Sequence, residues 1–238
     1  MMAEVDRARL KIRPMLSLSA ATDALYAYYA FYHDRERTEL HVHEDTDGRV
    51  DGFVAICQTS QRLFQPTVVL RTPKVRVAVD LLREALASGR PYYLITTPDL
   101  REAVLEVVDM PEPQTDVVYE IDLSRFEYAI NVLVAAEQGI ENRPRFAVRS
   151  GEDIVAEAGV AWLSPHFAGV YAQVTPAAEE RGLGLSVVAT CTRWVVRSGR
   201  RPLIIVDAKD GPAIALAEAA GYVDTGAREL AGDIVCCL

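Results

Sequence analysis

The chain has 238 residues, half of them hydrophobic, which supplies apolar material for one large or two small folded domains and excludes general disorder. A net charge of −9 excludes the basic surface by which a dedicated nucleic-acid binder neutralises phosphates; it agrees weakly with a cationic substrate, and solubility is the plainer account. There is no apolar run of about eighteen residues and no signal-peptide block in "MMAEVDRARLKIRPMLSLS", and Cys57, Cys191, Cys236 and Cys237 lack zinc-ligand spacing. A cytoplasmic protein with reduced thiols, away from the membrane, is therefore expected.

In chain order, "AATDALYAYYAFY" predicts a helix over 20–32, whose Tyr28, Tyr29, Phe31 and Tyr32 suit a core or interface face better than a pocket. Strands at 38–43 and 52–58 flank the turn signal "EDTDGRVDG". A strand at 66–71, a helix at 75–88, a strand at 91–96, a helix at 99–109 and a strand at 116–122 complete the first half. The second half repeats that order, with a helix at 124–138, strands at 145–149, 154–163 and 167–174, a helix at 184–198, and the strand "PLIIVD" at 202–207. A helix at 211–220 stopping at Gly221 and a strand pair at 222–237 end the chain.

The halves share wording as well as order. "DGFVAI … QPTVVLRTP" matches "EAGVAW … AGVYAQVTP", and "GRPYYLITTPD" matches "RRPLIIVDAKD", with Asp99 and Asp210 each eight residues after Pro91 and Pro202. An internal duplication of about 110 residues accounts for this better than the punctuation common to α/β domains. The copies differ at one place: Pro73 to Pro91 spans 18 residues and Pro176 to Pro202 spans 26, the surplus being "AAEERGLG". That insertion is not something the fold minimally needs, so it points to function.

A helix N-terminus carries unpaired N–H groups and partial positive charge, and glycine lets backbone approach an anion closely. Arg181-Gly182-Leu183-Gly184-Leu185-Ser186, opening the helix "VVATCTRWVV", is thus a candidate pyrophosphate cradle, with Arg181 and the Ser186 hydroxyl as further donors. A Walker loop is excluded because Gly-Lys-Ser/Thr is missing, and the dinucleotide fingerprint is only partly met, with Val187 in the place of its third glycine. A turn that is merely rich in glycine is the bland alternative.

A strand ending V-x-P, then R-x-x-G-x-G/A/S opening a helix, then a strand and a helix closing on Gly-Tyr, resembles the GNAT N-acetyltransferase superfamily. The carrying residues are "VTPAAEERGLGLS" (174–186), "AIALAEAAGY" (213–222) and "IVAEAGVAWL" (154–163). The resemblance covers roughly 125–238 and implies an α/β fold with mostly antiparallel sheets in two tandem units, 1–122 and 123–238. The first would be a degenerate copy, structural or substrate-shaping, and the second the acyltransferase unit. Acetyl-coenzyme A is then expected between the strands at 167–174 and 202–207, which splay in this fold. Its pyrophosphate would lie on the amides of 181–186, and its pantetheine would pair near Gln173 and Val174. Thr175, Asp210 and Ala213 complete the implied cofactor contacts. Pro176, lacking an N–H, suits the point where the strand gives way to cofactor.

The implied reaction is attack of a neutral amine on a thioester, which needs a base, an oxyanion donor and an acid for the thiolate. The backbone N–H of Val174 or a neighbour is the implied oxyanion donor. The family's N-x-x-A-x-x-L-Y pattern falls on Asp210, Ala213, Leu216 and Ala217, so the phenol that often serves as acid is missing. Glu157, an acidic residue amid apolar ones, is the leading base, a solvated strand edge being the alternative; Asp207 is second. His41 and His43 offer two metal ligands without a third, His166 lies in the turn "SPHF", and Glu179 and Glu180 suit capping the turn, since their charge repels phosphate. The expected function is N-acetyl transfer to a small-molecule or peptide amine, with a non-catalytic acyl-coenzyme A sensor as alternative and a nucleotide dehydrogenase ranked last. A homodimer is compatible with the sequence.

Overall fold

A computed structural model describes residues 2–128, 132–179 and 181–236. The chain forms two compact units, residues 1–116 with 228–238, and residues 117–227.

The first unit begins with α1 (Met2–Ile12), which has no counterpart among the elements expected above, although Val5, Ala8 and Ile12 recur at helical spacing and are buried. The helix expected over 20–32 is broken into a 3-10 turn (Ala21–Asp23), α2 (Ala24–Ala27) and a π-turn (Tyr28–Tyr32). Its start is fixed by the buried Asp23, which accepts the Ser17 N–H at 2.9 Å and pairs with Arg71 at 2.9 Å. Tyr26 and Tyr28 are buried core.

β1 (Thr38–Glu44), β2 (Val50–Cys57) and β3 (Thr67–Arg71) form an antiparallel meander. α3 (Val75–Ala85) then crosses to β4 (Pro91–Thr96), which runs parallel to β3 from Thr67↔Tyr93 to Val69↔Ile95. α4 (Arg101–Val107), β5 (Val108–Asp109) and β6 (Gln114–Ile121) follow. Val54, Leu70, Leu82, Leu94 and Val104 are all fully buried in one apolar cluster.

In the second unit, β7 (Ala135–Gln138) pairs with β8 (Pro144–Ser150). The helix expected over 124–138 is not formed at 124–128 or 132–138, and 129–131 lie outside the described residues. Pairing with β8 gives the backbone of β7 its partners, and it sets Glu137 against Arg145 at 2.6 Å and Arg149 at 2.9 Å, contacts that no local propensity encodes. β8, β9 (Asp153–Leu163) and β10 (Phe167–Val174) form a second antiparallel meander. The short α5 (Pro176–Glu179) and α6 (Leu183–Arg197) lead to β11 (Arg201–Asp207), parallel to β10, and then to α7 (Gly211–Ala219). Each unit therefore runs a three-strand meander, a helix and a parallel strand, as the duplicated wording implies.

The final strand pair is instead one strand, β12 (Tyr222–Cys236), with Gly226 at φ +80° inside it. From residue 228 it belongs to the first unit, where Leu230–Val235 pair with β4, so a division after residue 122 gives way to a first unit that the chain end completes. Cys57, Cys191 and Cys236 are buried free thiols; burial pushes Cys57 and Cys191 up to about 12, and Cys237 lies outside the described residues. Among the described residues, no helix is long and apolar enough to cross a membrane.

Candidate active site

β10 and β11 pair only from Phe167↔Arg201 to Val170↔Ile204. Beyond that point Tyr171–Val174 and Ile205–Asp207 line a cleft of about 900 Å³. The Thr175 N–H donates to the Val155 carbonyl at 3.0 Å, on the β9 side. Hydrogen-bonding edges alternate along a strand, so the N–H groups of Val174 and Ala172 turn toward the cleft. In the first unit the corresponding strands are closed: the Thr96 hydroxyl donates to the Leu70 carbonyl at 3.0 Å just past their last backbone pair, and both residues are fully buried.

Pro176 ends β10, and the inserted residues fold as α5 followed by Gly182 at φ +66°, a left-handed conformation that favours glycine. The amides of Arg181 and Gly182 are spent within this turn, on Ala178 and Glu179 carbonyls at 3.2 and 2.9 Å. Those left by helix geometry without an intrahelical acceptor are Leu183, Gly184 and Leu185, opening α6. Gly184 is needed for packing, because a Cβ there would stand 2.9 Å from Cγ2 of Val174 and 3.2 Å from Cδ2 of Leu216. α6 thereby starts directly against the end of β10.

Of the expected contact residues, Gln173, Val174, Gly182, Gly184, Leu185, Asp210 and Ala213 line the cleft. Thr175, Arg181, Leu183 and Ser186 do not; Leu183 and Ser186 are buried beneath the turn, and Arg181 is exposed beside it. Asp210 caps α7, accepting the Ala213 N–H at 3.0 Å. Ala217 lines the cleft, so the position of the missing phenol faces the site. Glu179 and Asp207 stand in the lining as well, while Glu180 lies outside the described residues.

Glu157 stands opposite Gln173 on β9, one strand away from the cleft lining. It accepts from Nη1 of Arg145 at 3.3 Å, and its charge acts on the Tyr171 phenol. Tyr171, absent from the residues expected above, lines the cleft; burial first, and then the Glu157 charge, pushes its phenol up to about 12. Its ring lies on Gly159, where a Cβ would meet it at 2.7 Å. Trp162 lies likewise on Gly169. Glycine inside a strand signals such close approaches, so "EAGVAW" and "FAGVYA" carry the clue to both rings.

The remaining histidines stand elsewhere. His41 meets Glu39 at 2.8 Å and His43 meets Asp51 at 2.5 Å, while His166 is absent from the cleft lining. Among the described residues no three His, Cys, Asp or Glu side chains are grouped to hold a metal.

A coenzyme A thioester fits this geometry. Gly182, Gly184 and Leu185 at the start of α6 line the cleft, where helix geometry leaves amides without intrahelical acceptors, and the end of β10 lines one edge. The space beside Gly182 is open, with no atom within 4 Å of where a Cβ on that residue would stand.

The family model of FR47-like proteins matches residues 157–230. Among solved structures, a Drosophila protein covers 100% of this chain and 97% of its own at 13% identity, with TM-score 0.67. A GCN5-related N-acetyltransferase from Kribbella flavida covers 92% and 96% at 12% identity, with TM-score 0.63. A tandem GNAT protein from the clavulanic acid biosynthesis pathway covers 98% and 96% at 13% identity, with TM-score 0.57. No curated protein sequence matches the chain. At these identities the likeness speaks for the fold.

Proposed function

We propose that this chain, which has the GNAT fold in two tandem units, transfers an acyl group from coenzyme A to an amine at the cleft of its second unit. The observation that carries the reading is the parting of β10 from β11 beyond Val170, directly below the open N-terminus of α6. The thioester supplies an activated acyl carbon.

The chain's own residues do the rest. Gly184 and Leu185 amides bind the diphosphate, and the Ala172 edge with the Val174 carbonyl pairs with the pantetheine amides. The Val174 N–H is aimed at the oxygen on which charge develops, and a backbone donor needs no reorganisation there. Glu157, held by Arg145, is the acceptor for the amine proton, reached through water from the strand beside Gln173. The first unit, its strands clasped by Thr96, serves a structural or substrate-shaping role.

Calorimetric titration with coenzyme A, together with thiol release against small amines, polyamines, amino acids and peptide N-termini, tests the proposal. Binding with release is expected, and Glu157→Gln should lower turnover about 100-fold with unchanged coenzyme A affinity. Unchanged turnover in that variant removes Glu157 from the scheme. Ala217 in the cleft favours a second reading, a sensor of acyl-coenzyme A, which binding without release across the whole panel would support.

A further inference from the structure

The cleft is lined by charge of one sign. Its ionisable lining residues are Glu179, Asp207 and Asp210, and among the described residues no Lys, Arg or His stands in that lining. Coenzyme A adds the negative charge of its diphosphate. The filled cleft therefore attracts a cationic second substrate, because carboxylates with low-dielectric walls focus the field on it.

The register shows where the positive charge would rest. Ala156, Ala158, Val170, Ile204 and Val206 pack in the α6 cluster, so by strand alternation Glu157, Tyr171, Gln173, Ile205 and Asp207 present the opposite sheet face. Gln173 stands opposite Glu157, and counting on from the last β10–β11 pair, Val170↔Ile204, brings Asp207 level with Gln173. Glu157, Gln173 and Asp207 thus form one row across β9, β10 and β11, with the parted strands between the last two. Two strand spacings set the backbones of the two acids at least about 10 Å apart. Tyr171 and Ile205 make the adjoining row and offer apolar surface beside the span.

The two acids are held differently. Glu157 is paired with Arg145 at 3.3 Å. The half-buried Asp207 makes no ion pair among the described residues; its Oδ1 accepts the Lys209 N–H at 3.0 Å, which fixes the carboxylate at the end of β11. Hydrogen-bonding edges lie in the plane of a sheet and side chains stand off it, so the pantetheine keeps the β10 edge while a second substrate lies across the face. From this we infer that the acceptor is an aliphatic diamine or polyamine, with one nitrogen beside Glu157 and a second, as ammonium, on Asp207. Its methylenes cross Tyr171 and Ile205. The first nitrogen gives one proton to Glu157 and forms the amide C–N bond. As the C–S bond breaks, the thiolate takes that nitrogen's second proton, and the far ammonium stays charged. The inference rests on the acyl-transfer reading and names its acceptor.

Calorimetry of the full chain saturated with coenzyme A and titrated with butylamine, 1,4-diaminobutane and spermidine tests it, alongside thiol release from acetyl-coenzyme A. The diamine should bind about tenfold more tightly than butylamine, the worth of one charge-assisted hydrogen bond, and spermidine at least as tightly as the diamine. Asp207→Asn keeps an oxygen for the Lys209 N–H and should bring the diamine down to the level of butylamine, with coenzyme A still bound. Equal affinity for butylamine and the diamine, or a diamine preference untouched in Asp207→Asn, overturns the inference while coenzyme A still binds. A loss of thiol release in that variant that is the same for both amines makes Asp207 a base and overturns it too. Failure of coenzyme A to bind the parent chain overturns the acyl-transfer reading along with it.

Discussion

Glu229 is 4% exposed in β12. Burial first, and then the negative charge of Asp116, pushes its carboxyl from 4.5 up to about 8, against the pull of Arg71. Between those two values the folded protein keeps a proton that the unfolded chain has released, so stability falls as pH rises through that window and is level outside it. Glu229→Gln should erase the slope: urea midpoints of variant and parent should agree near pH 4.5 and separate toward pH 8, the variant being the more stable. A constant gap at all pH values would refute this. At this scale the sequence is a partial guide. Glu157 stands out as an acid amid apolar neighbours, but its partners Arg145 and Tyr171 come from other strands and no local pattern contains them. Glu229 in "ARELAGDIV" carries no signal in sequence for the same reason.

Elements are legible where punctuation is strong. Thr175-Pro176 and the paired glycines place the end of β10 and the start of α6 within a residue or so, because proline and left-handed glycine act on the backbone itself. The stretch 124–138 reads as helix because "NVLVAAEQ" is apolar without a turn signal, yet at 135–138 pairing with β8 decides the state from a distance. The junction of β10 with α6 carries its own test. Gly184→Leu must push α6 off Val174 and Leu216, an overpacking that costs about 1–3 kcal/mol. Coenzyme A affinity should weaken about tenfold or more, read by calorimetry, while far-ultraviolet circular dichroism is retained; undiminished affinity would show that the helix start does not hold the diphosphate.

For the whole molecule, the repeated wording of the two halves foretells two units of like topology, and the inserted residues lie in the unit that holds the cleft. What it does not foretell is that residues 228–236 return to the first unit, since a strand's partner is chosen by the finished sheet and not by its neighbours in sequence. The Thr96 clasp has a thermodynamic corollary. Where the first unit ties β3 to β4, the second leaves the facing edges of β10 and β11 to water, and local opening there costs correspondingly less. Native-state hydrogen exchange should therefore find the amides of Ala172 and Val174 fast, and those of 68–69 and 94–95 slow. Added acyl-coenzyme A should slow the former set alone, by a factor that grows with its concentration over the dissociation constant. A strand pair tied at its end is rigid by construction, whereas one left apart should stiffen only when something fills it.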